Sequence, residues 1–243
     1  TISKKRARYR GWLSRNKYDM VFVSSSPDEE AHSLLSYACR VGKKVVAFET
    51  SSDKLNKCIH YLVKKDFNEG RYLVDYYHDL TNAVGMPSAR KRINFNVTNA
   101  ELDKSKEILQ NSSLRDCKII IAVKITGLPS RSYRDWPEEN FIELTKIIIG
   151  QYDSIGFIML GGPDEYEKYS DMAKKIQAPV LNMSYYGLLE IGSMMSFVSL
   201  YIGVDTGFTH LMSSFDTPII ALYHPKMPVY IKNHPRVNAI VAD

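Results

Sequence analysis

The sequence predicts an α/β protein with two Rossmann-like domains that carry parallel sheets and face a cleft. Three observations lead to this fold class. Short β-branched and apolar runs alternate with helical patterns along the 243 residues, and such alternation favours parallel sheets with right-handed crossovers. The alternation falls into two blocks, which we place at 1–116 and 117–243. A hydrophobic share of 44% and a charged share of 24% are typical of a globular chain.

The first block alternates strands and helices and ends in a connector helix. Strands are predicted over 18–25, 43–50 and 92–97, and helical patterning over 26–42 and 54–84. Residues 26–42 favour a helix because acidic residues fill the first turn and a glycine ends it. The spacing from Thr98 to Glu101 forms a capping box, which marks the start of the connector helix.

The second block has the clearer alternation. Strands are predicted over 118–125, 154–162, 179–184, 199–204 and 217–223, and helices over 137–149, 163–176, 187–198 and 206–215. The run 118–125 is rich in β-branched residues, which is typical of a central strand buried on both faces. Ligands of open α/β sheets bind beyond the carboxyl ends of the strands. Four loops meet at that rim: 126–136, 161–165, 182–185 and 204–207.

The last of these loops, in the stretch "GVDTGFTHL", predicts an anion site. Thr206 and Gly207 open a helix after a buried strand, so free N–H groups and the positive end of the helix dipole point at the rim. His210 lies one turn further on. Asp205 either caps the helix or accepts hydrogen bonds from sugar hydroxyls beside a phosphate. The triplet Asp205-Thr206-Gly207 is also found in the active sites of aspartic proteases, but those are all-β proteins. For His210 a structural role stays open.

The other loops add candidate binding groups, each with an ordinary alternative. Arg131 and Arg134 can clamp phosphate oxygens, or they are surface arginines. Glu165 can hold a ribose diol, or it is a surface acid that the helix dipole favours. Met183 can line a base pocket, or it fills the core. Trp136 is expected to pack as a hydrophobic staple where the next helix starts.

Composition excludes several classes of function. The net charge of +5 comes from residues 1–10, which hold five basic residues and no acid. This arm suits phosphate or an anionic membrane face, or it is a solvated helix face; no stacking motif predicts a nucleic-acid partner. No apolar run is long enough for a membrane span, and no signal peptide is expected. The three cysteines, Cys39, Cys58 and Cys117, show no CxxC, so neither a disulfide nor a metal framework is expected, and a reducing cytoplasm fits best.

Together the four loops resemble those of the ADP-heptose:lipopolysaccharide heptosyltransferases, glycosyltransferase family nine. That family carries a basic-x-Trp-Pro loop, a Gly-Gly-Pro-x-Glu turn, a Met-Ser-like segment and Asp-Thr-Gly-x-x-His. Here these read Arg134-Asp135-Trp136-Pro137, Gly161-Gly162-Pro163-Asp164-Glu165, Asn182-Met183-Ser184 and Asp205-Thr206-Gly207-Phe208-Thr209-His210. The similarity covers about residues 118–225 well and 10–90 only loosely.

The resemblance implies a GT-B fold and an inverting, metal-independent sugar transfer from a nucleoside-diphosphate donor, expected to be ADP-heptose, to a lipopolysaccharide-type acceptor. No cofactor is expected. Thr206 and Gly207 would bind the diphosphate, with Asp205 and His210 at its junction with the sugar. Arg134 would neutralise phosphate, Glu165 would hold the ribose, and Met183 would touch the base. Thr126 and Gly127, which open the first loop, are further expected substrate contacts. Residues 117–243 would form the nucleotide-sugar-binding domain.

Two departures from the family limit these expectations. The family's Gly-Asp turn, which carries the expected general base, has no counterpart, so 1–116 resembles only the remainder of the acceptor-side domain. Asp28, Glu29 and Glu30 are fallback bases, although first-turn helix acids are the more ordinary interpretation. The segments 210–216 and 224–230 also differ from the family pattern. A non-catalytic nucleotide-sugar-binding relative is therefore the alternative. A nucleotide-dependent oxidoreductase is disfavoured because no GxGxxG is present.

The expected location is the cytoplasm, with peripheral contact at the inner membrane face through the basic arm.

Overall fold

A computed structural model shows two compact units, 1–91 and 92–243. The structure describes residues 17–24, 29–64, 73–86, 93–127, 132–133, 135–224, 234 and 236–241. All strand pairs in these residues are parallel, in one sheet of three strands and another of six. The predicted α/β class with parallel sheets is confirmed.

The first unit is a three-stranded sheet with helices on both faces. Its described strands are β1 (Tyr18–Val23), β2 (Gly42–Phe48) and β3 (Tyr61–Val63), in the order β1-β2-β3. Its described helices are α1 (Glu29–Val41), α2 (Asp53–Asn56) and α3 (Leu73–Asn82). Successive side chains of β2 point to opposite faces of the sheet, which explains why helices pack on both faces. Val45 and Ala47 pack against α1, whereas Val46 and Phe48 pack against Tyr76 and Leu80 of α3.

Two predictions for this part of the sequence are wrong. The helical patterning over 54–84 is broken by β3, a three-residue strand too short to register as a change of period. The predicted strand over 92–97 does not form in the described residues 93–97. The alternation there has another cause, since the ring of Phe95 packs on Phe215, 6.1 Å between centroids, and against Gly192.

The expectation that the cysteines are unpaired is also wrong. Cys39 of α1 and Cys58, which precedes β3, form a disulfide with their Cα atoms 6.0 Å apart. They are 19 residues apart and belong to no local motif, so only the folding of α1 onto the sheet brings them together. Cys117 is free. The cysteine pattern therefore no longer supports a reducing compartment.

The second unit is built on a six-stranded parallel sheet. Its described strands are β4 (Ile119–Lys124), β5 (Ile155–Met159), β6 (Val180–Asn182), β7 (Leu200–Val204), β8 (Ile219–Tyr223) and β9 (Val237–Val241). Its described helices are α4 (Asn99–Gln110), α5 (Glu138–Ile149), α6 (Tyr166–Lys175), α7 (Leu188–Met194) and α8 (Gly207–Met212). Short 3₁₀ turns precede α6 at Pro163–Glu165 and follow α7 at Met195–Phe197. The edge strand β9, half exposed, was not predicted.

The strand order of this sheet is β6-β5-β4-β7-β8-β9. Chain order runs outward to one edge from β4 and outward to the other edge from β7, so it reverses between these two parallel strands. The chain moves outward from β4 through β5 to β6, and then returns to place β7 on the other side of β4. This is the doubly wound order, and its switch point is where ligands bind. The loops that follow β4 and β7 are therefore the ones that the topology selects for a site.

The core of the second unit lies under these strands. The strands β4, β5 and β7 are buried along nearly their whole length, as predicted for 118–125. Tyr169 and Met172 of α6 are fully buried against Phe157 and Met159 of β5. The predicted staple is confirmed, because the rings of Trp136 and Phe141 meet edge to face at 4.6 Å.

The connector helix α4 packs on the second unit. The predicted capping box at its start is confirmed: Thr98 Oγ1 accepts from the Glu101 N–H at 3.3 Å, and Glu101 Oε2 accepts from the Thr98 N–H at 2.7 Å. On α7, the Ser193 hydroxyl lies 2.7 Å from that of Ser105. The segment 92–116, which the sequence placed in the first block, therefore belongs by its contacts to the second unit. The predicted functional boundary between residues 116 and 117 stays a prediction.

Candidate active site

The turn that follows β7 presents Asp205, Thr206 and Gly207 at the switch point. Thr206 is the N-cap of α8, and its carbonyl accepts from the N–H of Thr209 at 3.1 Å. The alternative interpretation of Asp205 as the helix cap is therefore wrong by one position, since Asp205 precedes the cap. The helix has six residues and ends at Met212, which is shorter than the predicted 206–215.

Two buried hydroxyls hold this turn against the strand. Thr209 Oγ1 donates to the carbonyl of Val204 at 2.7 Å and lies 2.9 Å from the hydroxyl of Tyr201. Both side chains are fully buried, and burial raises the pKa of Tyr201 well above its usual value. The phenol is therefore neutral at neutral pH, and its contact with Thr209 joins β7 to α8.

Asp205 and His210 face each other across the turn. His210 Nε2 lies 3.9 Å from Asp205 Oδ1, and the two side chains are 31% and 8% exposed. Burial lowers the pKa of His210 below its usual value, although the negative charge of Asp205 acts in the opposite direction. Near neutral pH the site thus combines a shielded carboxylate with a neutral imidazole, both next to the N–H groups that open α8.

Gly207 leaves open space at the start of α8. Among the residues that the structure describes, no atom lies within 4 Å of a Cβ added to Gly207. The N–H groups of the first turn have no intrahelical acceptor. No described side chain therefore fills the space beside Gly207, and the phosphate site at this turn stays a prediction.

A second polar cluster lies at the ends of β4 and β5, centred on Glu165. Lys124 Nζ lies 2.7 Å from each carboxylate oxygen of Glu165. The Thr126 hydroxyl donates to Oε1, and the Gly162 N–H donates to Oε2 at 2.8 Å. The Tyr169 hydroxyl lies 3.2 Å from Oε1. Glu165 was expected to be a ribose ligand or a surface acid; the structure shows a carboxylate held by an internal ammonium.

The protonation states of this cluster follow from burial and pairing. Partial burial acts to raise the pKa of Glu165, but the hydrogen bonds from Lys124, Thr126 and Gly162 outweigh it and hold that pKa below its usual value. Burial lowers the pKa of Lys124, against the opposing effect of the Glu165 carboxylate. Burial also raises the pKa of Tyr169 far above its usual value. The carboxylate is therefore ionised at neutral pH and accepts from neutral hydroxyls.

The two clusters adjoin each other across the switch point. In the sheet, Lys124 is the register partner of Gly203 on β7. Its Nζ lies 5.7 Å from the ring centroid of Phe208, the second residue of α8, and 5.5 Å from that of Tyr169. The Glu165 cluster and the start of α8 are thus neighbours at this edge of the sheet, with Lys124 and the ring of Phe208 between them.

Thr126 and Gly127, predicted as substrate contacts, have internal partners here. The Gly127 N–H donates to Asp135 Oδ1 at 2.6 Å, which ties together the two ends of the loop. Thr126 is 8% exposed and bonds to Glu165. The predicted phosphate clamp, Arg131 and Arg134, lies outside the described residues.

Met183, predicted to touch a base, is fully buried after β6. Asn182 fixes this loop, since it donates to the Tyr166 carbonyl at 3.0 Å and its Oδ1 accepts from the Ser184 hydroxyl at 2.7 Å. The exposed residue of the loop is Tyr185, whose ring lies 4.5 Å from that of Tyr166. Two aromatic rings, tilted by 37° to each other, therefore stand at this end of the rim.

Sequence reasoning missed four residues that shape the site: Lys124, Tyr169, Tyr201 and Thr209. One signal was available, because Lys124 is a charged residue at the end of the otherwise apolar run of β4. The other three are ordinary residues of helical or strand patterns. Their roles depend on contacts across the sheet that no local pattern encodes.

Among the described residues, no group of three or more His, Cys, Asp or Glu side chains could hold a metal ion. Within the same residues, no helix is both long and apolar enough to cross a membrane.

The family profile described as "Glycosyltransferase family 9 (heptosyltransferase)" matches residues 6–242. The chain belongs to glycosyltransferase family 9. The resemblance drawn from the four rim loops is thereby confirmed, and this family 9 chain is a glycosyltransferase. No curated protein matches it.

Solved structures show the same fold as this family 9 chain. The glycosyl transferase family 9 from Veillonella parvula DSM 2008 matches with a TM-score of 0.72 at 18% identity, over 99% of this chain and 67% of that one. The E. coli ADP-heptose lps heptosyltransferase II matches at 0.67 and 15% identity, over 99% and 73%. E. coli heptosyltransferase WaaC with ADP matches at 0.65 and 17% identity, over 100% and 72%.

Proposed function

We propose that this chain transfers heptose from an ADP-linked donor to a lipopolysaccharide-type saccharide acceptor, with inversion and without a metal ion. The observation that carries the proposal is the meeting of two polar clusters at the switch point of the second sheet. One is the turn with Asp205 and Gly207 after β7, and the other is the Glu165 cluster after β5. Such a rim is where a doubly wound sheet binds a nucleotide.

The proposed roles follow the contacts. The N–H groups at Thr206 and Gly207 bind the diphosphate, where space is open. Asp205 and His210 lie at the junction of the diphosphate with the sugar, and the 8% exposed carboxylate accepts from sugar hydroxyls. Glu165 accepts from a ribose hydroxyl, and Arg134, outside the described residues, neutralises phosphate.

The proposed reaction is a displacement at the anomeric carbon. An acceptor oxygen forms a bond to that carbon from the face opposite the diphosphate, and the bond to the diphosphate oxygen breaks with its electron pair. Backbone N–H groups aimed at the leaving diphosphate stabilise the charge that develops on it, and so act where other enzymes use a metal ion. The acceptor hydroxyl passes its proton to a base.

That base is not assigned. Glu29 and Glu30 are the first two residues of α1, which agrees with their ordinary interpretation as first-turn helix acids. Asp28 lies outside the described residues.

Two further points guide the choice of substrates. The solved E. coli WaaC structures hold ADP and ADP-2-deoxy-2-fluoro heptose, which supports an ADP-linked donor for this chain. The basic residues within 1–10 suit an anionic glycolipid at a membrane surface. On the basic arm, and not on the cysteine pattern, we propose a cytoplasmic protein that meets its acceptor at the inner membrane face.

A transfer assay tests the proposal. The chain is incubated with ADP-heptose, or with UDP- or GDP-linked sugars, and a lipopolysaccharide-core acceptor, in buffer with and without EDTA. The proposal expects heptose transfer from the ADP donor alone, an inverted anomeric centre in the product by NMR, and no effect of EDTA. Tight donor binding with no transfer to any acceptor would instead support the non-catalytic alternative. Loss of turnover in EDTA would overturn metal independence.

A further inference from the structure

Lys124 is an ammonium placed inside the second unit with one carboxylate as its counter-charge. Its side chain is 5% exposed, whereas that of Glu165 is 24% exposed. Lys124 Nζ reaches both oxygens of Glu165 at 2.7 Å and the Thr126 hydroxyl at 3.1 Å. The lysine therefore lies behind the carboxylate, away from the surface on which a ligand would arrive.

We propose that Lys124 is a positioning residue for the donor nucleotide: it fixes the Glu165 carboxylate so that a ribose hydroxyl donates to its exposed side. This inference rests on the proposed function, because it needs a ribose at the rim. Lys124 itself touches no part of the donor and acts through Glu165.

The distribution of donors around the carboxylate supports this role. Thr126, Tyr169 and Lys124 approach Oε1, and Gly162 and Lys124 approach Oε2. All of these groups belong to the sheet edge and α6, so they fix the carboxylate from the interior. The internal contacts number three on Oε1 and two on Oε2, which already take up the about four acceptor positions of a carboxylate. A ribose hydroxyl would therefore share Oε2, the oxygen with fewer internal donors, and no second hydroxyl is expected to bind.

Charge explains why the residue is a lysine. Glu165 is largely enclosed, and the hydrogen bonds and positive charge of Lys124 help to hold its pKa below the usual value, which favours the ionised, accepting form. The charged groups that act on the pair are Asp135, whose negative charge favours the ammonium, and Lys168, whose positive charge opposes it. With Lys124 in place, the carboxylate stays a full acceptor.

A merely structural role makes a different prediction. If Lys124 only supported the fold of the sheet edge, its loss would weaken every nucleotide by the same factor. If it positions Glu165, its loss removes the part of the affinity that depends on the ribose hydroxyl. The informative quantity is therefore ribose selectivity, the ratio of the Kd of a deoxy analogue to the Kd of ADP.

The experiment measures Kd by calorimetry for ADP, 2′-deoxyADP and 3′-deoxyADP. The variants are Lys124→Met, Glu165→Gln and the double variant, with Lys104→Met as a matched control. Lys104 makes an ion pair with Glu190 on the same unit. Lys104→Met therefore removes one positive charge, as Lys124→Met does, without changing the residues of the Glu165 cluster. Lys124→Leu, which likewise offers no donor to the carboxylate, serves if Lys124→Met does not fold.

The wild type is expected to prefer ADP over one deoxy analogue by about tenfold, which is typical of a hydrogen bond to a charged group. Lys124→Met is expected to reduce this selectivity to about twofold, as Glu165→Gln does, and the double variant is expected to lose nothing more. Lys104→Met keeps the wild-type ratio. Full selectivity in a folded Lys124 variant, or an equal loss for all three nucleotides, overturns the proposal. If the wild type binds no ADP, the proposed function fails instead.

Discussion

His210 Nε2 lies 3.9 Å from Asp205 Oδ1, across the turn that joins β7 to α8. The carboxylate is almost enclosed and the imidazole is partly open, and both stand beside the unoccupied space at Gly207. Neither group caps the helix, since Thr206 does so through its backbone. We expect the chemistry of this pair to show in donor binding and turnover.

Asp205→Ala should lower turnover far more than stability. The variant loses the acceptor for sugar hydroxyls, and we expect kcat/KM to fall by about a hundredfold, the size seen when one positioned polar group is lost from a reacting centre. The free energy of unfolding should change by no more than about 2 kcal/mol, because α8 keeps its N-cap residue Thr206. Transfer assays and urea denaturation measure the two effects.

Asp171→Ala is the control for this variant, since Asp171 forms an exposed ion pair with Lys174 on α6. It should leave both quantities unchanged. Wild-type turnover in a folded Asp205 variant would contradict the donor role of Asp205.

The titration of His210 should move with Asp205. Burial lowers the pKa of His210 and the Asp205 carboxylate partly restores it, so Asp205→Asn should lower that pKa further. Because the unfolded chain binds the proton more readily, the contribution of His210 to stability falls as pH drops below about 6.5. NMR of the imidazole C–H signals follows the titration. A higher pKa in Asp205→Asn would show that the two groups do not interact as described.

The two halves of the buried ion pair should differ in their cost to stability. Glu165→Ala leaves the 5% exposed ammonium of Lys124 without its counter-charge, and we expect a loss of about 3–5 kcal/mol in the free energy of unfolding. Lys124→Met leaves a carboxylate that still accepts from Thr126 and Gly162, so the loss should be smaller, about 1–2 kcal/mol. Urea denaturation at neutral pH compares them, and the reverse order would contradict the described burial.

The sequence predicted the layers of this fold well because burial in a parallel sheet leaves a direct pattern. The strands β4, β5 and β7 are apolar throughout, and the cap at Thr98 and the staple at Trp136 are local signals that the structure reproduces. The three-residue strand β3 and the half-exposed edge strand β9 left no such pattern. The alternating pattern around Phe95 does not mark a strand, because it places the Phe95 ring against Phe215 and forms no strand pair.

The site could be predicted only as far as chain order allows. Strand ends indicated which loops meet, so Asp205, Gly207 and Glu165 were named from sequence. What the carboxylate of Glu165 contacts was not predictable, because its partner Lys124 lies 41 residues away on another strand. The sequence also left open whether Met183, which is fully buried, fills the core or lines a pocket, because methionine is used at both kinds of position.

The cysteine pairing gives a separate check on the first unit. Protein purified without reductant, unfolded in guanidinium and treated with iodoacetamide should be labelled at Cys117 alone, because Cys39 and Cys58 form a disulfide. Mass spectrometry of the peptides reads out the result. Labelling of all three thiols would contradict the pairing.

Gly207→Ala tests most directly the central claim that the donor diphosphate binds at the turn after β7. The added methyl meets no atom of the described residues within 4 Å, so the melting temperature should stay unchanged, but the methyl occupies the space that the diphosphate needs. Gly150→Ala is the control, because its methyl meets only ordinary contacts at 3.5 Å, at the C-cap of α5. Calorimetric titration with ADP should give a Kd at least about tenfold higher for Gly207→Ala than for the wild type and Gly150→Ala. Equal ADP affinity in all three proteins would contradict the account.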